Sequence, residues 1–128
     1  MVAPCNAPNT RVPAGNLIPG IPRFTAFAEL AWKHRPWGLE SALELRHVGK
    51  MAVDDRNTDF AAASTIVSAR VMLAQNWNRW TFKEFLRVDN LTDRNYVGSV
   101  IVNEGNQRFF EPAPGRTWLL GVNALYAF

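Results

Sequence analysis

Cysteine is almost missing from these 128 residues, with Cys5 standing alone. A single thiol closes no internal disulfide, and no Cys/His cluster has metal-ligand spacing. Cys5 also lacks the apolar stretch that a lipoprotein signal requires, so it reads as an incidental loop thiol. Charge of one sign is scarce too. Lys and Arg number 14 against 11 Asp and Glu, a formal net charge of +3. That excess is spread along the chain and makes no basic stripe, which argues against nucleic acid as a partner. No apolar run approaches the length of about 18 residues that a transmembrane helix needs. The opening stretch from Met1 to Pro8 lacks the charged-then-apolar build of a signal peptide. No Ser/His/Asp arrangement, paired-acid motif or Gly-rich phosphate loop stands out, so neither an enzyme nor a cofactor is expected.

Aromatics are plentiful, with 5 Trp and 8 Phe. Residues 1–22 are rich in Pro, Asn and Gly and read as an irregular segment. From residue 23 onward, side-chain character alternates. In 23–34, Phe24, Ala26, Ala28, Leu30 and Trp32 share one face, while Arg23, Thr25, Glu29 and Lys33 share the other. Phe27 and Ala31 break the second set. In 38–50, Leu39, Leu43 and Leu45 oppose Glu40, Glu44 and Arg46. In 64–75, Thr65, Val67, Ala69, Val71 and Leu73 oppose Ser64, Ser68 and Arg70. In 79–91, Trp80, Phe82, Leu86 and Val88 oppose Arg79, Thr81, Lys83, Arg87 and Asp89, with Glu84 a charge on the apolar side. In 116–128, Trp118, Leu120, Val122, Ala124, Tyr126 and Phe128 line one side. Alternation of this kind marks strands with two unlike faces. A helix over Ala61–Ala74 is the competing reading, because Ala, Met and Leu favour helices. The β-branched Thr65, Ile66, Val67 and Val71 favour the strand.

The connections alternate as well. His34–Trp37 and Gln75–Asn78 read as tight turns, whereas 50–63 and 91–115 are long, polar and rich in Asn, Asp, Gly and Pro. Short turns at one end and long loops at the other are the asymmetry of a membrane β-barrel. Strands of about 11 to 13 residues also suit a tilted bilayer crossing better than the usual strand of about 5 or 6. Trp32, Trp37, Trp77 and Trp80 fall near the two short turns, and Tyr126 and Phe128 near the chain end. All are then expected at one membrane interface, with Trp118 near the opposite rim. The fold class expected is all-β: an antiparallel meander of about five long strands, as in the C-terminal segment of a transmembrane β-barrel.

Three segments carry a resemblance. They are Val88-Asp89-Asn90-Leu91-Thr92-Asp93, Phe110-Glu111-Pro112-Ala113-Pro114-Gly115-Arg116, and the alternating last strand that finishes in Phe128. In that order and spacing they resemble the C-terminal end of TonB-dependent outer-membrane receptors. Gly20-Ile21-Pro22-Arg23 and the stretch from Val53 to Asp59 are similar to upstream parts of the same barrels, so the likeness covers most of residues 17–128. Local chemistry agrees: Asn90 and Asp93 can turn the chain by bonding its own backbone. Pro112 and Pro114 are expected to stop strand pairing ahead of Gly115.

The resemblance implies a bacterial outer-membrane location and a family role in uptake of iron-siderophores or similar nutrients. It implies the lipid bilayer, the outer-membrane assembly machinery and the rest of the barrel with its plug as partners. Trp118, Tyr126 and Phe128 stand where the family carries its assembly signal. Arg46, Arg70, Lys83 and Arg87 are expected to line the lumen, where they either solvate it, touch the plug or steer an anionic ligand. Within these residues there is neither plug nor TonB-engaging motif, and five strands are fewer than the about eight that close a barrel. The piece alone is therefore not expected to transport. The alternative is a soluble or self-associating β-sheet binding module derived from such a barrel, its open edges covered by self-association.

Two weaker patterns complete the reading. Asp55-Arg56-Asn57-Thr58-Asp59 echoes a calcium loop, but Phe60 and Ile66 occupy places that need Gly and Glu. His34 and His47 lie on different strands without partner ligands. No metal site is expected from either.

Overall fold

The computed structural model describes residues 11–128. Nine strands are described: β1 (Thr25–His34), β2 (Leu39–Val48), β3 (Met51–Ala52), β4 (Phe60–Ala61), β5 (Ser64–Trp77), β6 (Trp80–Asp89), β7 (Val97–Val100), β8 (Phe110–Pro112) and β9 (Thr117–Tyr126). The five long ones form a single antiparallel sheet in the order β1-β2-β5-β6-β9. The fold is all-β, and the one helical element among the described residues is the short 3-10 turn Arg35–Trp37. The sheet does not close on itself: β1 and β9 are its two edges.

Strand formation follows from the alternation. Residues 61–74 are extended, mostly within β5, as the β-branched side chains favour, and no helix forms there. Register locks the faces together. Leu30, Leu43, Ala69, Val88 and Trp118 pair in one row straight across the sheet. A second row runs Trp32, Ser41, Val71, Leu86 and Leu120. A slip of one residue would send every one of these to the other face, so register and pattern specify one another.

Both short connections fall at the same end. Gly38 ends the first with a left-handed φ of 62° and donates its N–H to the Arg35 carbonyl at 3.1 Å. A side chain there would strike the Ala74 carbonyl oxygen of the neighbouring strand, at 2.0 Å from the Cβ position. The second connection is tighter than expected. Gln75, Asn76 and Trp77 belong to β5 rather than to a turn, and Trp77 pairs directly with Trp80. Asn78 takes φ 59°, which lets Asn78 and Arg79 alone reverse the chain.

The long connections are not plain loops. The first carries the β3/β4 pair and the second a β7/β8 ribbon. Phe110-Glu111-Pro112 form β8: Pro112 itself pairs with Val97, and strand pairing ends there, ahead of Pro114 and Gly115. A proline is accommodated because this ribbon has open edges that ask for no N–H from it. Small-scale core packing also collects at this end: Met51, Ala52, Val53 and Ala61 are buried, Val53 completely.

Candidate functional site

The two sheet faces have different chemistry. On the first, Leu30 is 75 % exposed, Leu120 73 % and Trp118 65 %, with Phe24, Trp32, Leu43, Leu45, Val71, Leu86 and Val122 also open. Monomeric water-soluble proteins rarely leave so many neighbouring apolar side chains bare. The aromatic rings of this face gather at the short-turn end. Trp80 lies 5.0 Å from Tyr126 between ring centroids, and Tyr126 meets Phe128 edge-on at 5.5 Å. On the neighbouring hairpin His34 lies between Trp32 and Trp37, at 5.5 and 4.6 Å. Trp118 is placed at the other end of β9, paired with Val88, while Phe128 lies just beyond the strand.

The second face carries Arg46, Arg70, Lys83 and Arg87 together, since pairing puts all of them on the side of Glu29, Glu40 and Glu44. Arg70 and Arg87 are not free cations. Arg70 reaches Glu29 at 3.0 Å and Glu44 at 3.2 Å; Arg87 reaches Glu44 at 3.0 Å and Asp89 at 2.9 Å. The result is a ladder of charge running across β1, β2, β5 and β6. Two cations against three carboxylates leave it at −1. Steering of an anion by these two arginines is therefore weak. Arg46 and Lys83 make no ion pair among the described residues.

The alternation places Glu44 on this face but does not mark it as the hub of the ladder. Its two partners come from β5 and β6, and only the register brings them within reach. This face is also less polar than its charges suggested. Phe27, Met72, Phe85, Leu119 and Leu125 open onto it alongside them. Phe85 covers Gly121, its direct partner on β9.

Beyond the ladder, toward the long connections, the face forms the floor of a cleft of about 880 Å³. Arg46, Glu44, Arg87 and Asp89 contribute from the sheet, and Tyr96 and Ser99 from the ribbon side. Ser99 hydrogen-bonds Glu111 across the β7/β8 ribbon. The cleft lining mixes these charged and hydroxyl groups with a larger apolar share, from Phe27, Val48, Met51, Ile66, Val97 and Val100.

The end of the sheet behind this cleft is knitted from three stretches of chain. The Asn57 side chain accepts from the Leu17 N–H at 2.7 Å and donates to the Leu17 carbonyl at 2.9 Å, as a paired strand would. Asn103 accepts from the Asp55 N–H at 3.0 Å, donates to the Asp55 carboxylate at 2.8 Å, and donates its own N–H to Val53 at 3.0 Å. Gly20 donates to Ala52 at 2.9 Å. Asp54 accepts from both the N–H and the hydroxyl of Thr58. The Thr58 hydroxyl above all holds the Asp54 carboxyl below the usual aspartate range. No group of three or more potential metal ligands occurs among the described residues. The Asp55–Asp59 stretch is instead occupied with this network.

The two motif segments meet. Asn90 (φ 53°) and Asp93 (φ 50°) both adopt left-handed backbone. Asn90 bonds Arg94 twice, at 2.8 and 2.9 Å, and is itself almost fully buried. Asp93 accepts the Arg116 N–H at 2.9 Å, which joins the turn after β6 to the start of β9. The histidines stay apart: His47 bonds the Thr65 hydroxyl at 2.8 Å near the long connections, while His34 is at the short-turn end.

No family model matches the chain.

Proposed function

We propose that this sheet is a stretch of wall from a transmembrane β-barrel of the TonB-dependent receptor kind, taking part in nutrient uptake at the bacterial outer membrane. One observation carries the reading: the sheet presents one face of bare apolar side chains bordered by aromatics, backed by a face of paired charges. From Trp118 to Tyr126 the outer row of β9 spans eight positions, about 26 Å along the strand. At a tilt of about 40° that covers about 20 Å of membrane thickness, close to the apolar band of about 25 Å that such barrels present. Trp80, Tyr126 and Phe128 then form the girdle at the short-turn interface, and Trp118 the opposite rim. Trp118, Tyr126 and Phe128 are the residues we assign to recognition by the assembly machinery.

The topology adds a constraint. Each neighbouring pair in the sheet is antiparallel, so β1 and β9 run in the same direction. A fully antiparallel barrel is closed only by an odd number of further strands, giving the even total usual for bacterial barrels. In that assembly the ladder of Glu29, Arg70, Glu44, Arg87 and Asp89 faces the lumen, and the cleft opens at its mouth. Arg46 and Lys83 remain the lumen cations available to a plug or ligand.

Fractionation tests the proposal. The protein is expected in the outer-membrane fraction and to require detergent for extraction. A chain that stays soluble and monomeric without detergent would contradict the reading. That outcome would favour the second possibility, a β-sheet binding module whose faces and edges are covered by self-association.

A further inference from the structure

The two ends of the sheet differ in charge. At the short-turn end Lys33, Arg35, Arg79 and Lys83 meet one carboxylate, Glu40, which Lys33 takes up at 3.1 Å. The long connections are balanced the other way: Lys50, Arg56, Arg94 and Arg108 lie among Asp54, Asp55, Asp59, Asp93, Glu104 and Glu111. Lys83 belongs to the charged face, which leaves Arg35 and Arg79 as the cations of the turns themselves. Both are exposed, and neither makes an ion pair among the described residues. Their backbones are fixed. The Arg35 carbonyl accepts the Gly38 N–H at 3.1 Å, and the Arg79 carbonyl accepts the Ala127 N–H at 2.8 Å. Each arginine is bordered by exposed indoles: Trp37 lies in the same turn as Arg35, and the paired Trp77 and Trp80 flank Arg79.

We infer that the two short turns form a docking rim for anionic phospholipid headgroups, with Arg35 and Arg79 holding the phosphates. The inference rests on the outer-membrane reading, in which tryptophans at this level mark the headgroup zone on the short-turn side. A guanidinium there meets phosphate oxygens, and its planar fork can engage two of them at once. Charge then selects among lipids. A phosphatidylcholine headgroup carries its own cation beside the phosphate, whereas phosphatidylglycerol offers the phosphate alone. An acidic soluble protein would meet the same two arginines but would have no use for the indoles around them. Those amphipathic rings gain most at a boundary between lipid and water.

Quenching of tryptophan by lipid tests this, because Trp32, Trp37, Trp77 and Trp80 all lie at the short-turn end. The protein, extracted in nonionic detergent, is titrated with phosphatidylglycerol or phosphatidylcholine carrying brominated acyl chains. At low salt phosphatidylglycerol is expected to bind about twentyfold more tightly, at about fivefold for each arginine. Arg35→Gln and Arg79→Gln should each remove about fivefold of that preference, and the double variant nearly all of it. Arg108→Gln, in a long connection, should leave it unchanged. Salt at about 0.5 M should weaken the preference by screening. Equal quenching by the two lipids, or a preference that survives the double variant, overturns the inference and leaves the outer-membrane reading standing. So does displacement of the lipid by inorganic phosphate beyond the effect of chloride at equal ionic strength, which would assign the arginines to free phosphate. Quenching by neither lipid overturns the inference, and a protein that needs no detergent overturns the reading as well.

Discussion

Arg70 and Arg87 face one another as directly opposed residues on β5 and β6, with the Glu44 carboxylate within 3.2 Å of the first and 3.0 Å of the second. Like charges in that relation repel, and Glu44 converts the repulsion into two ion pairs. Glu44→Gln is therefore expected to destabilise the sheet by about 1–3 kcal/mol, because the two guanidinium groups lose the charge between them and one of its two acceptor oxygens. Glu40→Gln, which breaks only the exposed pair with Lys33, should cost less than about 0.5 kcal/mol. Urea denaturation of the two variants in detergent micelles measures the difference. Equal effects would show that the ladder is no more than a solvated surface.

Gly121 is a second point of dependence. A Cβ built there would approach the Phe85 ring to 2.1 Å, so alanine forces the ring off the sheet. Gly121→Ala is expected to lower stability by about 0.5–1.5 kcal/mol, the cost of turning the exposed Phe85 ring off its rotamer. The double variant Phe85→Ala/Gly121→Ala should be less destabilised than the two single effects sum to. Strict additivity in that cycle would show that the ring does not depend on the glycine.

The bond from Arg116 to Asp93 ties the β6 turn to the start of β9. Asp93→Ala removes the acceptor and leaves a side chain less tolerant of φ 50°. A loss of about 1 kcal/mol is expected, with faster hydrogen exchange at the Arg116 amide. Asp93→Asn keeps both the oxygen and the tolerance for left-handed backbone and should stay near the parent protein.

The Asp54–Thr58 turn should respond to acid. Its carboxyl has a lowered pKa in the folded protein, so its contribution is present above the unfolded aspartate value of about 3.9 and is lost as pH falls through the folded value. Exchange at the Thr58 amide, corrected for intrinsic rates, is expected to accelerate below about pH 4. Thr58→Ala removes the largest cause of the shift, so the acceleration should become smaller and be complete at a higher pH. A protection factor flat down to pH 2 would contradict this.

The sheet was largely legible from the residues, because alternation with strands this long leaves few other structures. Phe24 to Trp32 and Trp118 to Tyr126 could be assigned a face by counting alone. Missed were the β3/β4 and β7/β8 pairs. Their segments carry too few residues to show a period, and Asn, Gly and Pro mask them. The turn after β5 was placed too early because Gln75, Asn76 and Trp77 look like turn residues, whereas the left-handed Asn78 makes a shorter reversal sufficient.

By itself, the sequence determined that the chain is extended, that its strands have two unlike faces, and that its connections alternate in length. Those properties are local: each depends on the order of neighbouring side chains along one strand. Only the tertiary structure decided that Glu44 reaches Arg70 and Arg87, that Phe85 rests on Gly121, that Asn57 pairs with Leu17, and that Asp93 holds Arg116. Each of these joins positions from different strands or loops. Such meetings are set by cross-strand register and by how the long connections fold back, and no period along the chain encodes either.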